Sequence, residues 1–215
     1  DTVAVMATPD GVVPGNIYLF RHGETEWSLS GQHTGTTDLP LLPEGEACAR
    51  RAGELLAGMS FVAAFCSPLQ RAVRTAELAG LRDVELAPEL REWDYGGYEG
   101  LTTPQIREQT GDPTWEIFKD GTVPGDTPGE SVWDVAARVS HVLAKVTPLL
   151  DEGNVALVAH GHSLRILASV FLQMSPRFGA RLLLDAGSLS MLGFHHGQPT
   201  IQVWNRALSP RSMAD

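Results

Sequence analysis

Short apolar runs alternate with amphipathic stretches along this chain. Asn16-Ile17-Tyr18-Leu19-Phe20, Phe61-Val62-Ala63-Ala64-Phe65-Cys66 and Asn154-Val155-Ala156-Leu157-Val158-Ala159 are brief, rich in β-formers and free of charge, and they predict three strands. Pro43 to Gly58 and Pro68 to Ala79 read as amphipathic helices. Glu130 to Leu150 reads as a third, with Val132, Val135, Val139, Val142, Leu143 and Val146 on one face. Strands that alternate with helices predict an α/β fold, a mostly parallel central sheet covered on both sides in an α/β/α sandwich. No internal repeat interrupts it.

Residues 16–206 form one domain in this reading, between an irregular lead-in at 1–15 and a tail at 207–215. The stretch 101–129 breaks the rhythm with Pro104, Pro113, Pro124 and Pro128. It is too polar and interrupted for core structure, and it follows a glycine- and aromatic-rich loop, so it is expected to be a lid.

Composition narrows the class. At 215 residues, 43% hydrophobic and 20% charged, the chain can bury a substantial core, and it has no apolar run near the roughly 20 residues of a membrane span. The first 15 residues lack the basic start and apolar core of a signal peptide, and a cytoplasmic location is expected. Cys48 and Cys66 supply neither a disulfide framework nor a metal cluster, and read as reduced packing residues. A net charge of −10 argues against nucleic acid and anionic membranes as partners. A phosphate would have to be drawn by local cations.

Those cations stand at strand ends. Phe20-Arg21-His22-Gly23-Glu24-Thr25 places Arg21 and His22 at the carboxyl edge of the first strand, where open α/β sheets bind ligands. Gly23 leaves room above the histidine and Thr25 adds a hydroxyl. The second strand runs into Ser67-Pro68-Leu69-Gln70-Arg71, a helix start that carries Arg71 in its first turns. The third ends in His160-Gly161-His162-Ser163. Between them, Leu90-Arg91-Glu92-Trp93-Asp94-Tyr95-Gly96-Gly97-Tyr98-Glu99-Gly100 brings an acid, Glu92, near the start of a loop.

With these elements in this order, the chain resembles the histidine phosphatase superfamily, which includes the cofactor-dependent phosphoglycerate mutases. Gly31 to Leu41 and Leu183 to His196 look most like the sedoheptulose-1,7-bisphosphatase and small acid phosphatase branch. The resemblance implies a phosphoglycerate mutase-like fold with a lid insertion and a phosphohistidine mechanism. Where mutases carry Asn after the tryptophan that follows the first motif, this chain has Ser28, as the bisphosphatase branch does. Thr34 and the backbone of Gly35 could take up part of that contact.

The chemistry fits the residue types. Phosphoryl transfer depends on positioning and on cations around the equatorial oxygens, which Arg21 and Arg71 can supply. A neutral His22 can accept the phosphoryl group covalently, and His160, if protonated, adds a donor. Glu92 serves as acid for the leaving alkoxide and then as base for water. Thr25, Ser28, Thr34, Gly35, Gly161 and His162 are assigned to substrate binding, with His33 beside them. Trp27, Trp93, Tyr95, Tyr98 and Trp115 suit either packing or stacking on a sugar. Arg50, Arg51 and Arg91 read as solvated charges, and Glu99 as a turn residue without chemistry. Neither a metal nor a cofactor is implied, since the pairs His160/His162 and His195/His196 lack accompanying carboxylates.

The expected function is hydrolysis of a small phosphorylated sugar, a monophosphate or bisphosphate. The expected partner is that phosphorylated carbohydrate, and homodimer formation is compatible with the sequence. The alternatives are phosphoglycerate mutase-type transfer and a catalytically lapsed binding protein. Mutases carry a basic cluster in the lid, whereas this lid offers only Arg107 and Lys119.

Overall fold

The strand β4 (Val155–Ala159) is buried at every position, as a central strand in a sheet covered on both sides must be. It lies between β2 (Ala63–Cys66) and β1 (Ile17–Arg21) and runs parallel to both, with Cys66 opposite Val158 and Arg21 opposite Ala159. This register brings the carboxyl ends of the three strands to one edge. Arg21-His22, Ser67 and His160 therefore emerge together.

The computed structural model describes residues 15–208, so nearly all of the expected lead-in and most of the expected tail lie outside the described residues. The six-stranded sheet has the order β3-β2-β4-β1-β5-β6, with β3 at Val84–Leu86, β5 at Leu189–His195 and β6 at Gln198–Arg206. Only β5 runs against the others, pairing antiparallel with β1 and with β6.

Alternate strand residues feed two separate cores. Ile17, Leu19, Phe65, Val155 and Leu157 face one side, where α6 (Val132–Val146) and α7 (Gly161–Phe171) pack. Phe20, Ala64, Cys66, Ala156 and Val158 face the other, against α2 (Pro43–Leu55) and α3 (Gln70–Leu78). The three layers follow directly from this period of two. The layers and the mostly parallel sheet are the α/β/α sandwich that the sequence predicts.

The long helix expected over Glu130 to Leu150 is shorter at both ends. Ser131 caps α6 in a reciprocal box with Asp134, and Pro148, which lacks an N–H, turns the end into a 3₁₀ segment at Thr147–Asp151. The valine and leucine face is buried as expected.

The stretch 101–129 corrects the reading that it is too polar and interrupted for core structure. It folds into α4 (Thr103–Thr110) and α5 (Ile117–Asp120), and Ile106, Trp115, Ile117 and Phe118 are all buried in the larger core. Its prolines sit at helix starts and turns, so its few apolar residues converge inward. The segment is a packed wall of the molecule.

Candidate active site

His22 leaves β1 and turns its ring under the neighbouring backbone. Its Nδ1 donates to the carbonyl of Gly23 at 2.7 Å, because that oxygen can only accept. The lone pair is thereby left on Nε2. Burial, then the charges of Arg71 and Arg21, hold the imidazole well below the usual histidine range, so it is neutral. Gly23 is required for a different reason than conformational freedom: a Cβ there would lie 2.5 Å from Cα of Gly45 at the start of α2.

Arg71 and His160 stand behind His22, both fully buried. Arg71 donates from Nε to His160 Nδ1 at 3.2 Å, from Nη1 to Thr37 O at 2.8 Å, and from Nη2 to Thr34 O and Gly35 O, each at 3.1 Å. His160 Nε2 meets Ser67 Oγ at 2.7 Å, and the His22 and His160 rings are 5.0 Å apart. Burial and Arg71 push His160 well below the ordinary histidine value. The condition set for His160 in the sequence reading, that it be protonated, is not met here: the ring is neutral, with its Nδ1 accepting from a cation that can only donate.

Glu92 approaches from the loop Leu90 to Gly100. Its Oε1 accepts from Trp93 N and Ser163 N, both at 2.9 Å, and its Oε2 from His162 N at 3.0 Å. The carboxylate therefore caps α7 from outside, and the second acceptor position of Oε2 stays available.

A cavity of about 310 Å³ opens onto His22 and Glu92, lined also by Arg21, Ser28, His33, Thr34, Tyr95, Gly161 and His162 among others; Arg71 and His160 lie behind it and are not among its lining residues. A Cβ on Gly161 would sit 3.2 Å from Cζ of Arg21, so any larger residue there requires the guanidinium to give way by a few tenths of an ångström. Arg21 donates from Nη1 to Leu184 O, while its buried Nε has no partner.

The remaining assignments divide. Ser28 lines the cavity, but its hydroxyl donates to Glu24 Oε2 at 2.6 Å. Thr25 is fully buried and caps α1 (Glu26–Ser30) by accepting from Ser28 N, so the structure does not place it at the cavity. Gly35 likewise spends its N–H on Glu99 Oε1 at 2.9 Å, which also accepts from Thr37 N. Glu99 is the turn residue expected. Tyr95 and Trp115 reach the cavity wall, whereas Trp93 and Tyr98 are packing residues. Arg51 is half-buried against Leu208 O, which corrects its reading as a solvated charge.

Sequence reasoning missed Arg165. It lies three residues beyond His162 on α7 and so shares its face. Its Nε donates to Gly179 O at 2.8 Å and its guanidinium lies over the Phe118 ring at 4.8 Å, and the residue lines the cavity. The lid cations are elsewhere: Arg107 holds Trp115 O and Lys119 pairs with Asp120 in solvent. Among the described residues, no three His, Cys, Asp or Glu side chains converge as a metal-ligand set.

At the carboxyl edge of a doubly covered sheet, an imidazole with a free nitrogen stands close to the Arg21 and Arg71 guanidinium groups, an arrangement chemically able to accept a phosphoryl group. The chain belongs to the histidine phosphatase superfamily (branch 1), whose model matches residues 17–207. It is 37% identical over 206 residues to an acid phosphatase of Mycobacterium tuberculosis, covering 95% of this chain and 98% of that protein. It is 36% identical over 182 residues to a sedoheptulose 1,7-bisphosphatase of Saccharomyces cerevisiae (71% and 66% covered). A 2,3-bisphosphoglycerate-dependent phosphoglycerate mutase of Azorhizobium caulinodans matches at 39% over 174 residues (74% and 82%). A solved structure from Mycobacterium tuberculosis is 37% identical and superimposes with a TM-score of 0.84 over 91% of this chain and 99% of that one.

Proposed function

We propose that the protein is a phosphomonoesterase that hydrolyses a small phosphorylated sugar through a phosphohistidine on His22. The observation that carries this is the neutral His22 ring with Nε2 free beside Arg21 and Arg71. Nε2 attacks phosphorus and the P–O ester bond breaks, while Glu92 gives its proton to the departing alkoxide. Water then attacks phosphorus, the P–N bond breaks, and Glu92 takes the water proton. The arginines stabilise the equatorial oxygens, so no step requires a metal.

Arg165 with Tyr95, Trp115 and Phe118 on the same wall suits a sugar bearing a second anionic group, such as a bisphosphate. The acid phosphatase and the bisphosphatase among the relatives support hydrolysis. A mutase would return the phosphoryl group to a bound acid, and neither lid cation stands at the cavity to help hold one.

The test is phosphate release from a panel of sugar phosphates, with and without 2,3-bisphosphoglycerate, together with trapping of label on the protein. Expected are free phosphate independent of the bisphosphoglycerate and an acid-labile phosphoprotein lost in His22→Ala. Isomerised product that depends on the bisphosphoglycerate would establish the mutase reading instead.

A further inference from the structure

The loop that presents Glu92 has no regular secondary structure of its own to fix it, yet its acid must meet a leaving oxygen within hydrogen-bond reach. Arg138, on the outer part of α6, supplies what the loop lacks. A guanidinium has five N–H donors in a rigid plane, and here five acceptors meet them. Nε and Nη2 grip the two oxygens of Glu130 at 2.8 and 2.9 Å. Nη1 donates to the carbonyls of Glu89 and Arg91, both at 2.6 Å, and Nη2 to that of Glu92 itself at 3.0 Å.

Glu130 closes the other side. Its Oε2 accepts from Asp94 N at 2.9 Å, its backbone oxygen from the Trp93 indole at 2.7 Å, and its N–H donates to Asp94 O at 2.9 Å. Residues 89 and 91 to 94 are thus all pinned by one ion pair, whose side chains are only 15% and 23% exposed. The Glu92 carboxylate is held separately, by the amides of Trp93, His162 and Ser163. Backbone and side chain of the acid are fixed from opposite directions.

We infer that Arg138 and Glu130 are positioning residues for the general acid, setting where the Glu92 carboxyl stands relative to the leaving oxygen. The inference rests on the acid role of Glu92 given above. Lysine cannot replace the arginine, because one ammonium with three donors cannot span three carbonyls and both carboxylate oxygens.

The test uses the full chain and single-turnover phosphorylation of His22 by two substrates. One is an alkyl sugar phosphate, whose alkoxide needs a proton; the other is p-nitrophenyl phosphate, whose phenolate does not. For Arg138→Lys the expected result is a fall of about 10- to 100-fold with the sugar phosphate and less than about twofold with the nitrophenyl ester, the pattern of a misplaced acid. Glu130→Gln, which keeps the shape but weakens the grip on Arg138, should show the same split and stands in if the lysine variant does not fold. Glu92→Gln is run beside them. If it splits the substrates and the other two slow both equally, the positioning inference is overturned and the acid assignment stands. If Glu92→Gln itself does not split them, the acid assignment fails first.

Discussion

Arg71 donates to His160 Nδ1 at 3.2 Å, and this single bond fixes the histidine as an acceptor on that nitrogen. The same guanidinium fills three backbone carbonyls, of Thr34, Gly35 and Thr37. Arg71 is therefore part of the framework, whatever it also contributes to the proposed phosphoryl transfer. Arg21 differs: one carbonyl, that of Leu184, is its protein partner, and its Nε is unpartnered.

The two arginines should separate in stability while agreeing in activity. A buried acceptor left without its donor costs about 1–3 kcal/mol, so Arg71→Ala should lower the unfolding free energy by more than about 3 kcal/mol. Arg21→Ala leaves a single such acceptor, Leu184 O, and should cost about 1–3 kcal/mol on the same scale, less than Arg71→Ala. Urea unfolding of both variants is the check, with phosphorylation assayed alongside. Equal stability losses would show that Arg71 is not structural.

Turnover should survive chelation. The positive charge at the cavity comes from guanidinium groups, and His160 is already committed to Arg71 and Ser67. Prolonged dialysis against EDTA should leave the rate within about twofold, since no Lewis acid has a role in the proposed steps. Loss of turnover restored by Mg²⁺ or Zn²⁺ would overturn this.

The site was legible in the sequence where it depends on strand ends. Arg21, His22 and His160 terminate apolar runs, and parallel pairing in register does the rest. Arg71 and Glu92 could be placed because helix starts and glycine-rich loops mark themselves. Less visible was anything set by tertiary packing. Thr25 offered a hydroxyl, but a buried Thr with an amide three residues on becomes a cap. Arg165 lies inside an apolar helix pattern, where nothing local distinguishes a cavity cation from a surface one. The hairpin of β5 and β6 was also missed, since its half-buried, mixed pattern, bulged between Leu189 and Leu192, gives no clean period. The 101–129 stretch misled for the opposite reason: its composition is that of a loop, while its four buried apolar side chains decide its place.

Arg165 should govern choice among substrates. Its Nε is anchored on Gly179 O and its guanidinium lies over Phe118, which holds this cavity-lining side chain about one helical turn from the Gly161 end of α7. Arg165→Gln should raise KM for a sugar bisphosphate by about 10- to 100-fold, the worth of a hydrogen bond to a charged group. A sugar monophosphate with no second anion should change by less than about threefold on the same scale. Equal effects on both would place Arg165 in the walls alone.

Acid should destabilise the fold before it titrates the carboxylates. His22, His160 and His162 are held well below the ordinary histidine value of about 6.5, in each case by burial first. Below pH 6.5 the unfolded chain takes up protons that the folded chain refuses. Stability therefore rises with pH across the window from these lowered folded values up to 6.5 and levels above it. Each such histidine contributes a slope of up to about 1.4 kcal/mol per pH unit inside the window. The urea midpoint at pH 5.5 should accordingly lie clearly below that at pH 7.5. His22, held neutral to below its ordinary value, should keep its nucleophilic Nε2, so single-turnover phosphorylation should lose its acid limb only below pH 6.5. An unfolding midpoint that is flat from pH 7.5 to 5.5, or a rate that falls with an apparent pKa at or above 6.5, would mean that these rings are not held neutral by the interior.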